Sequence, residues 1–116
     1  MENTIYQKGD IIYVRGSIEF KAGIQGGNIR PYLIISNNKF NRYSPVLTCV
    51  PLSTKIYKQS PVHLFIDKSI GIPKNSVVLC EQIHTISKCD IVNYVCSLPD
   101  KLISELNELL SFQLSL

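Results

Sequence analysis

Gln25-Gly26-Gly27-Asn28-Ile29-Arg30-Pro31-Tyr32-Leu33-Ile34-Ile35-Ser36 passes from a hinge to a strand. The glycine pair lets the backbone turn where a side chain would obstruct it. Arg30 follows, carrying a charge that no working pH removes. Pro31 steers Arg30 toward an extended conformation. Tyr32–Ser36 then reads as a buried strand, because Tyr32 to Ile35 is an unbroken apolar run. A permanent cation where a bendable loop meets a rigid strand is well placed to hold an anionic group.

Outward from this segment, the same signals recur. Before it, Gly9-Asp10 punctuates the chain and Ile11–Val14 reads as a first strand, rich in β-forming residues. Residues 15–29 carry four glycines and read as a long mobile loop, with room for a short hairpin near Ile18 to Phe20. After it, Asn37–Pro45 is polar and turn-rich, with room for one helical turn. Val46–Leu52 reads as a third strand, and Pro51 predicts that its end lies at an edge or a bulge. Val62–Ile66 and Ser76–Cys80 read as further strands around a Gly71/Pro73 turn. Glu81–Ile86 alternates polar and apolar residues, so its two sets face opposite sides. Ile91–Cys96 is the last strand expected. Leu98-Pro99-Asp100 then opens a helix, which Asp100 can cap or favour through the helix dipole. Leu102, Ile103, Leu106, Leu109 and Leu110 form its apolar stripe. Many short strands and one terminal helix predict a mainly β, α+β fold, a small curled sheet or barrel rather than βαβ units.

The 116 residues suit one domain, 1–116, with a real core. No apolar run approaches a membrane span, and Met1-Glu2-Asn3-Thr4 does not open a signal peptide, so a cytoplasmic, membrane-free protein is expected. Cys49, Cys80, Cys89 and Cys96 should then be free thiols. They contain no CxxC pair, and a site built from Cys80, His84, Cys89 and Cys96 is a poor match to zinc spacing, so no metal and no cofactor is expected.

The net charge of +3 is unevenly spread. No acidic residue lies between Glu19 and Asp67, whereas Lys21, Arg30, Lys39, Arg42, Lys55 and Lys58 all do. Phe20, Tyr32, Phe40, Tyr43 and Tyr57 are interleaved with them. Cations among aromatics suit phosphates and unstacked bases, although a basic surface over an aromatic core gives the same composition. The patterns GxxxxGK[ST], HExxH and GxSxG are all missing. What remains is a set of polar groups at strand ends: Arg30, Ser53, Thr54, Glu81, Gln82, His84 and Thr85.

Taken in order, Gly9-Asp10-Ile11-Ile12-Tyr13, GGNIRPYLIIS, Asn41-Arg42-Tyr43-Ser44-Pro45, Val50-Pro51-Leu52-Ser53-Thr54-Lys55, His63 and Ser76-Val77-Val78-Leu79-Cys80-Glu81-Gln82-Ile83-His84-Thr85-Ile86 resemble the MazF/PemK/Kid toxins of bacterial toxin–antitoxin pairs. The resemblance runs from about residue 8 to the final helix. It implies an SH3-like β-barrel of the CcdB/MazF type with a C-terminal helix, assembled as a homodimer. It also implies sequence-specific, metal-independent cleavage of single-stranded RNA, and inhibition by a cognate antitoxin whose disordered tail binds across the dimer.

By the same resemblance, Arg30 matches the catalytic arginine of the family's Gly-x-Arg-Pro motif, and Ser53 matches the catalytic threonine or serine after the third strand. The chemistry agrees. In metal-free cleavage the ribose 2′-OH attacks the adjacent phosphate, and a guanidinium stabilises the charge that builds on the phosphoryl oxygens. A hydroxyl adds a donor, and either Ser53 or Thr54 can supply it. The sequence departs from the family twice. Asn28 stands where a glycine usually precedes x-Arg-Pro, and asparagine tolerates left-handed angles. His84 replaces the arginine of Glu-Gln-x-Arg-Thr, where it can move a proton near neutral pH, contact RNA or simply lie on the surface.

Gln82 and Thr85 are candidate base readers, since amides and hydroxyls pair with base edges. Gln25, Asn28, Arg42, Thr54, Lys55 and Lys58 complete the candidate RNA contacts. Glu81 reads as structural or as a partner for a cation, and His63 as a structural histidine in an apolar strand. From the residues alone, Arg30 also fits a surface salt bridge. Two other functions share this barrel: a non-enzymatic, CcdB-like gyrase poison, and a module that binds RNA without cutting it.

Overall fold

Val46–Ser53 (β3) pairs with three other strands, more than any other strand among the described residues. Its apolar residues alternate between two cores, which sets the two faces of the sheet. The computed structural model describes residues 5–16, 29–55 and 60–116. The hairpin expected near Ile18 to Phe20, the glycine pair, Gln25, Asn28 and Lys58 lie outside the described residues.

In chain order the other strands are Asp10–Arg15 (β1), Ile29–Ile34 (β2), His63–Ile66 (β4), Ser76–Leu79 (β5), His84–Ser87 (β6) and Ile91–Ser97 (β7). The helices are Asn38–Tyr43 (α1) and Asp100–Leu114 (α2). All strand pairs are antiparallel, in the order β4-β5-β3-β2-β1-β7, with β6 also on β3. The result is a mainly β, α+β fold, an open barrel-like sheet of seven strands with a C-terminal helix.

One face of the sheet carries Ile11, Leu33, Val50, Leu52, Leu64, Ile66 and Val78, covered by Leu106 and Leu110 of α2. Leu102, Ile103 and Leu109 flank them, so the helical stripe packs as expected. The opposite face carries Ile12, Val14, Ile34, Leu47 and Cys49, with Tyr32, Ile86 and Ile91 at its margin. Pro99 is the N-cap of α2 and makes no side-chain capping bond, while Asp100 is the first helical residue, where its charge favours the helix dipole. Gly9, at φ +94°, ties the sheet to this helix: it donates to Ile34 O and accepts from Leu98 N–H, and a Cβ there would meet Ile103 at 2.9 Å.

Apart from one-residue shifts at other strand ends, the structure refines the sequence reading in three places. β2 begins at Ile29 and ends at Ile34, rather than spanning Tyr32–Ser36, because β1 supplies partners for Ile29, Arg30 and Pro31. Arg30 therefore lies within the strand. Beyond Ile34, Ile35 and Ser36 both donate to Thr48 O as the chain turns toward α1. Pro51 faces a bulge rather than a sheet edge, the second of the two places expected for it: it sits opposite Tyr32, in the gap where β3 has released β6 and not yet met β5. A residue without an N–H is well tolerated in such a gap.

The third difference concerns Glu81–Ile86, which does not run on as one continuous strand. Cys49 faces His84 and Leu52 faces Val78. Three steps along β3 thus correspond to six along β5 and β6. The three surplus residues bulge out around Cys80–Ile83, where Gln82 N–H closes a turn on Leu79 O.

Candidate active site

The register of β2 on β3 pairs Ile34 with Cys49, Leu33 with Val50 and Tyr32 with Pro51. Carried on by two residues, it sets Arg30 level with Ser53. Side chains alternate along a strand, so Arg30 shares a face with Tyr32 and Ile34, and Ser53 shares it with Cys49 and Pro51. These two candidates, distant in sequence, thus emerge at one end and on one face of the sheet. Arg30 is exposed and Ser53 is half-buried. The Ser53 Oγ accepts from Lys55 N–H at 3.1 Å, which leaves its O–H to donate and fixes the chain as it leaves β3.

His84 reaches the same face from the other side of β3. It is opposite Cys49, and its ring meets that of Tyr32 edge to face, with centroids 5.6 Å apart and planes at 80°. Arg30, Tyr32, Ser53 and His84 therefore share one surface. Tyr32 is the member the sequence reading passed over. Its signal was its position, two residues from Arg30 in an extended strand, hence on the same side.

Thr54 and Thr85 go elsewhere. Thr54 lines a cavity of about 260 Å³ with Ile11, Tyr13, Pro31, Leu52 and Ser76, on the face that carries the α2 core. Thr85 pairs with Thr48, one step out of phase with His84. Arg42 lies in α1 beside Tyr43, its guanidinium 5.9 Å from the ring centroid. That is beyond the opposite end of β3 from Ser53, a span of about 23 Å. Arg42 is therefore not brought together with Arg30 and Ser53, whereas Lys55 is.

The bulge between β5 and β6 carries Glu81 and Gln82, both exposed. The Nε2 of His63, on β4, is 3.3 Å from each carboxylate oxygen of Glu81. The Gln82 amide donates to Glu81 Oε2 at 3.4 Å. Partial burial pushes the Glu81 carboxyl up, but hydrogen bonds from its own backbone N–H, from His63 and from Gln82 outweigh this and hold it below the usual carboxylate value. His63 is thus structural on one side only, since its buried Nδ1 has no partner among the described residues. Among the described residues, no group of three or more His, Cys, Asp or Glu side chains is arranged to hold a metal ion. No helix among them is long and apolar enough to cross a membrane.

Residues 7–114 match the family described as PemK-like, MazF-like toxin of type II toxin–antitoxin system. The chain belongs to this family. Among curated relatives of this MazF-like toxin, Endoribonuclease EndoA of Bacillus subtilis is 32% identical over 114 residues, covering 97% of each chain. A solved MazE–MazF structure from Deinococcus radiodurans superposes with a TM-score of 0.81 at 17% identity, covering 98% of this chain and 99% of the other. An endoribonuclease in complex with its cognate antitoxin, from Mycobacterial species, gives a TM-score of 0.74 at 22% identity, covering 97% and 95%. The match to the MazF-like family spans every candidate site residue named above, His84 included.

Proposed function

We propose that this chain is the endoribonuclease toxin of a type II toxin–antitoxin pair, and that it cuts single-stranded RNA at Arg30, Ser53 and His84. The ribose 2′-OH gives up its proton and its oxygen bonds to phosphorus. The P–O5′ bond then breaks, and the leaving oxygen takes a proton. The products are a 2′,3′-cyclic phosphate and a 5′-OH. Arg30 neutralises the charge on the phosphoryl oxygens as phosphorus becomes pentavalent, and Ser53 O–H donates to the same oxygens. Because the guanidinium supplies the positive charge, no step calls on a metal. On this reading His84, which lies on the same face, carries one of the two protons.

The observation that supports this reading is the β2–β3 register, whose last pair is Tyr32 with Pro51 and which, extended by two residues, brings Arg30 level with Ser53 on one face. It also favours Ser53 over Thr54, whose side chain lines a cavity on the other face. Lys55 and Gln82 extend the surface for RNA backbone and bases. The working form on this reading is a cytoplasmic homodimer, silenced by a cognate antitoxin; the structural relative from Mycobacterial species is itself solved in complex with its cognate antitoxin.

The test is incubation of purified, antitoxin-free protein with long RNA of mixed sequence in EDTA. Discrete fragments with cyclic phosphate and 5′-OH ends are expected, lost in Arg30→Ala while the dimer persists. DNA breaks without RNA cleavage, or RNA bound and never cut, would overturn the proposal.

A further inference from the structure

The bulge between β5 and β6 presents Gln82, and an amide reads a base only if its two ends are told apart. A carboxylate accepts hydrogen bonds and donates none. The contact between Gln82 and Glu81 Oε2 therefore fixes the amide with its nitrogen toward Glu81, leaving Oε1 to accept from a base. Glu81 is itself held. His63 Nε2 sits at the same 3.3 Å from both of its oxygens, which requires the hydrogen on Nε2. His63 is firmly seated, with its side chain only 16% exposed on a strand paired residue by residue with β5. Its Nδ1 has no partner among the described residues, so its one polar contact there is the one aimed at the bulge.

We propose that His63, acting through Glu81, is a positioning residue for base selection by Gln82; this rests on the endoribonuclease reading above. With the amide fixed, the base beside Gln82 must offer an N–H where Oε1 stands. A flipped amide would ask for a lone pair at the same place. The ordered chain from His63 to Gln82 sets which of these is asked, while Arg30 and Ser53 do the cutting.

The experiment compares cut-site preferences on an RNA pool randomised around the cleavage position. The proteins are wild type, His63→Leu, His63→Gln, Glu81→Gln, Gln82→Ala and the double variant His63→Leu/Gln82→Ala. Preference at one base position should fall about tenfold in His63→Leu and in Glu81→Gln, the size of one lost base contact. Total cleavage of the pool should stay within about threefold, since neither residue touches the reacting atoms. His63→Gln, whose amide N–H can stand where the ring N–H stood, should restore the preference. In the Gln82→Ala background, His63→Leu should add nothing. Unchanged base preference in both His63→Leu and Glu81→Gln would overturn the proposal, as would equal broadening by His63→Leu with and without Gln82. Glu81 is exposed, so Glu81→Gln decides the matter should His63→Leu fail to fold. A wild-type protein that cuts no RNA removes the endoribonuclease reading, and this inference with it, before any variant is compared.

Discussion

Tyr32 stands edge-on to His84 across β3, with ring centroids 5.6 Å apart and planes at 80°. An aromatic edge contact of this kind contributes about 1 kcal/mol and fixes the orientation of the imidazole. Tyr32→Leu should lower kcat about fivefold, with the loss abolished in a His84→Ala background. Tyr32→Phe keeps the ring and should stay near wild type. Steady-state cleavage of a fluorogenic oligonucleotide would measure all of these.

The register that levels Ser53 with Arg30 separates two neighbouring hydroxyls. Ser53→Ala should cost about a hundredfold in kcat, the effect of one donor lost from a charged transition state. Thr54→Ala should act on KM alone, by less than about fivefold. Equal losses in kcat would show that the hydroxyl at 53 has no special place.

Asn41 is fully buried, yet every polar group of its side chain is engaged. Its amide donates to Ser36 O at 2.8 Å, and its Oδ1 accepts from the Ser36 hydroxyl. The same Ser36 Oγ accepts from Thr48 N–H at 3.1 Å, and Lys88 Nζ donates to Asn41 O at 2.6 Å. This network ties α1 to β3. Asn41→Ala strands the Ser36 groups and should destabilise the fold by about 2 kcal/mol. A fall in Tm of about 8 °C in a calorimetric scan is the expected reading.

Burial pushes the Cys49 thiol up to about 12, and burial together with the Glu81 charge pushes Cys80 up to about 11. Both stay as thiols in the folded chain, while the unfolded chain ionises them near 9. Their contribution to stability is therefore complete below pH 9 and is lost as pH rises toward 11 and 12. Denaturant midpoints should be insensitive to these groups at pH 7–8 and fall above 9. Iodoacetamide at pH 8 should label exposed Cys89 first and reach Cys49 and Cys80 only on unfolding.

Local chemistry made much of this molecule legible from the sequence. The strands around Ile11, Val46 and Ile91 announce themselves by apolar content, and α2 by its leucine stripe. Arg30 and Ser53 were found by motif. What stayed hidden depends on pairing between distant segments. The start of β2 at Ile29 is decided by its β1 partners, which the composition of residues 29–31 does not reveal. Val77–Cys80 is apolar throughout and Glu81–Ile86 mixes polar with apolar residues and carries no glycine or proline, so nothing local signals three surplus residues between the two strands. His63 and Glu81 are 18 residues apart, and only the β4–β5 register brings them together.

The surplus length between β5 and β6 has an evolutionary consequence. Both flanks stay anchored on β3, so residues can be exchanged, added or removed at the protrusion without shifting the strands beneath it. On the proposal made above, recognition and scission reside in separately editable parts of one small scaffold. A lineage of such poisons can retarget itself by rewriting a few exposed letters while its cutting machinery is left untouched.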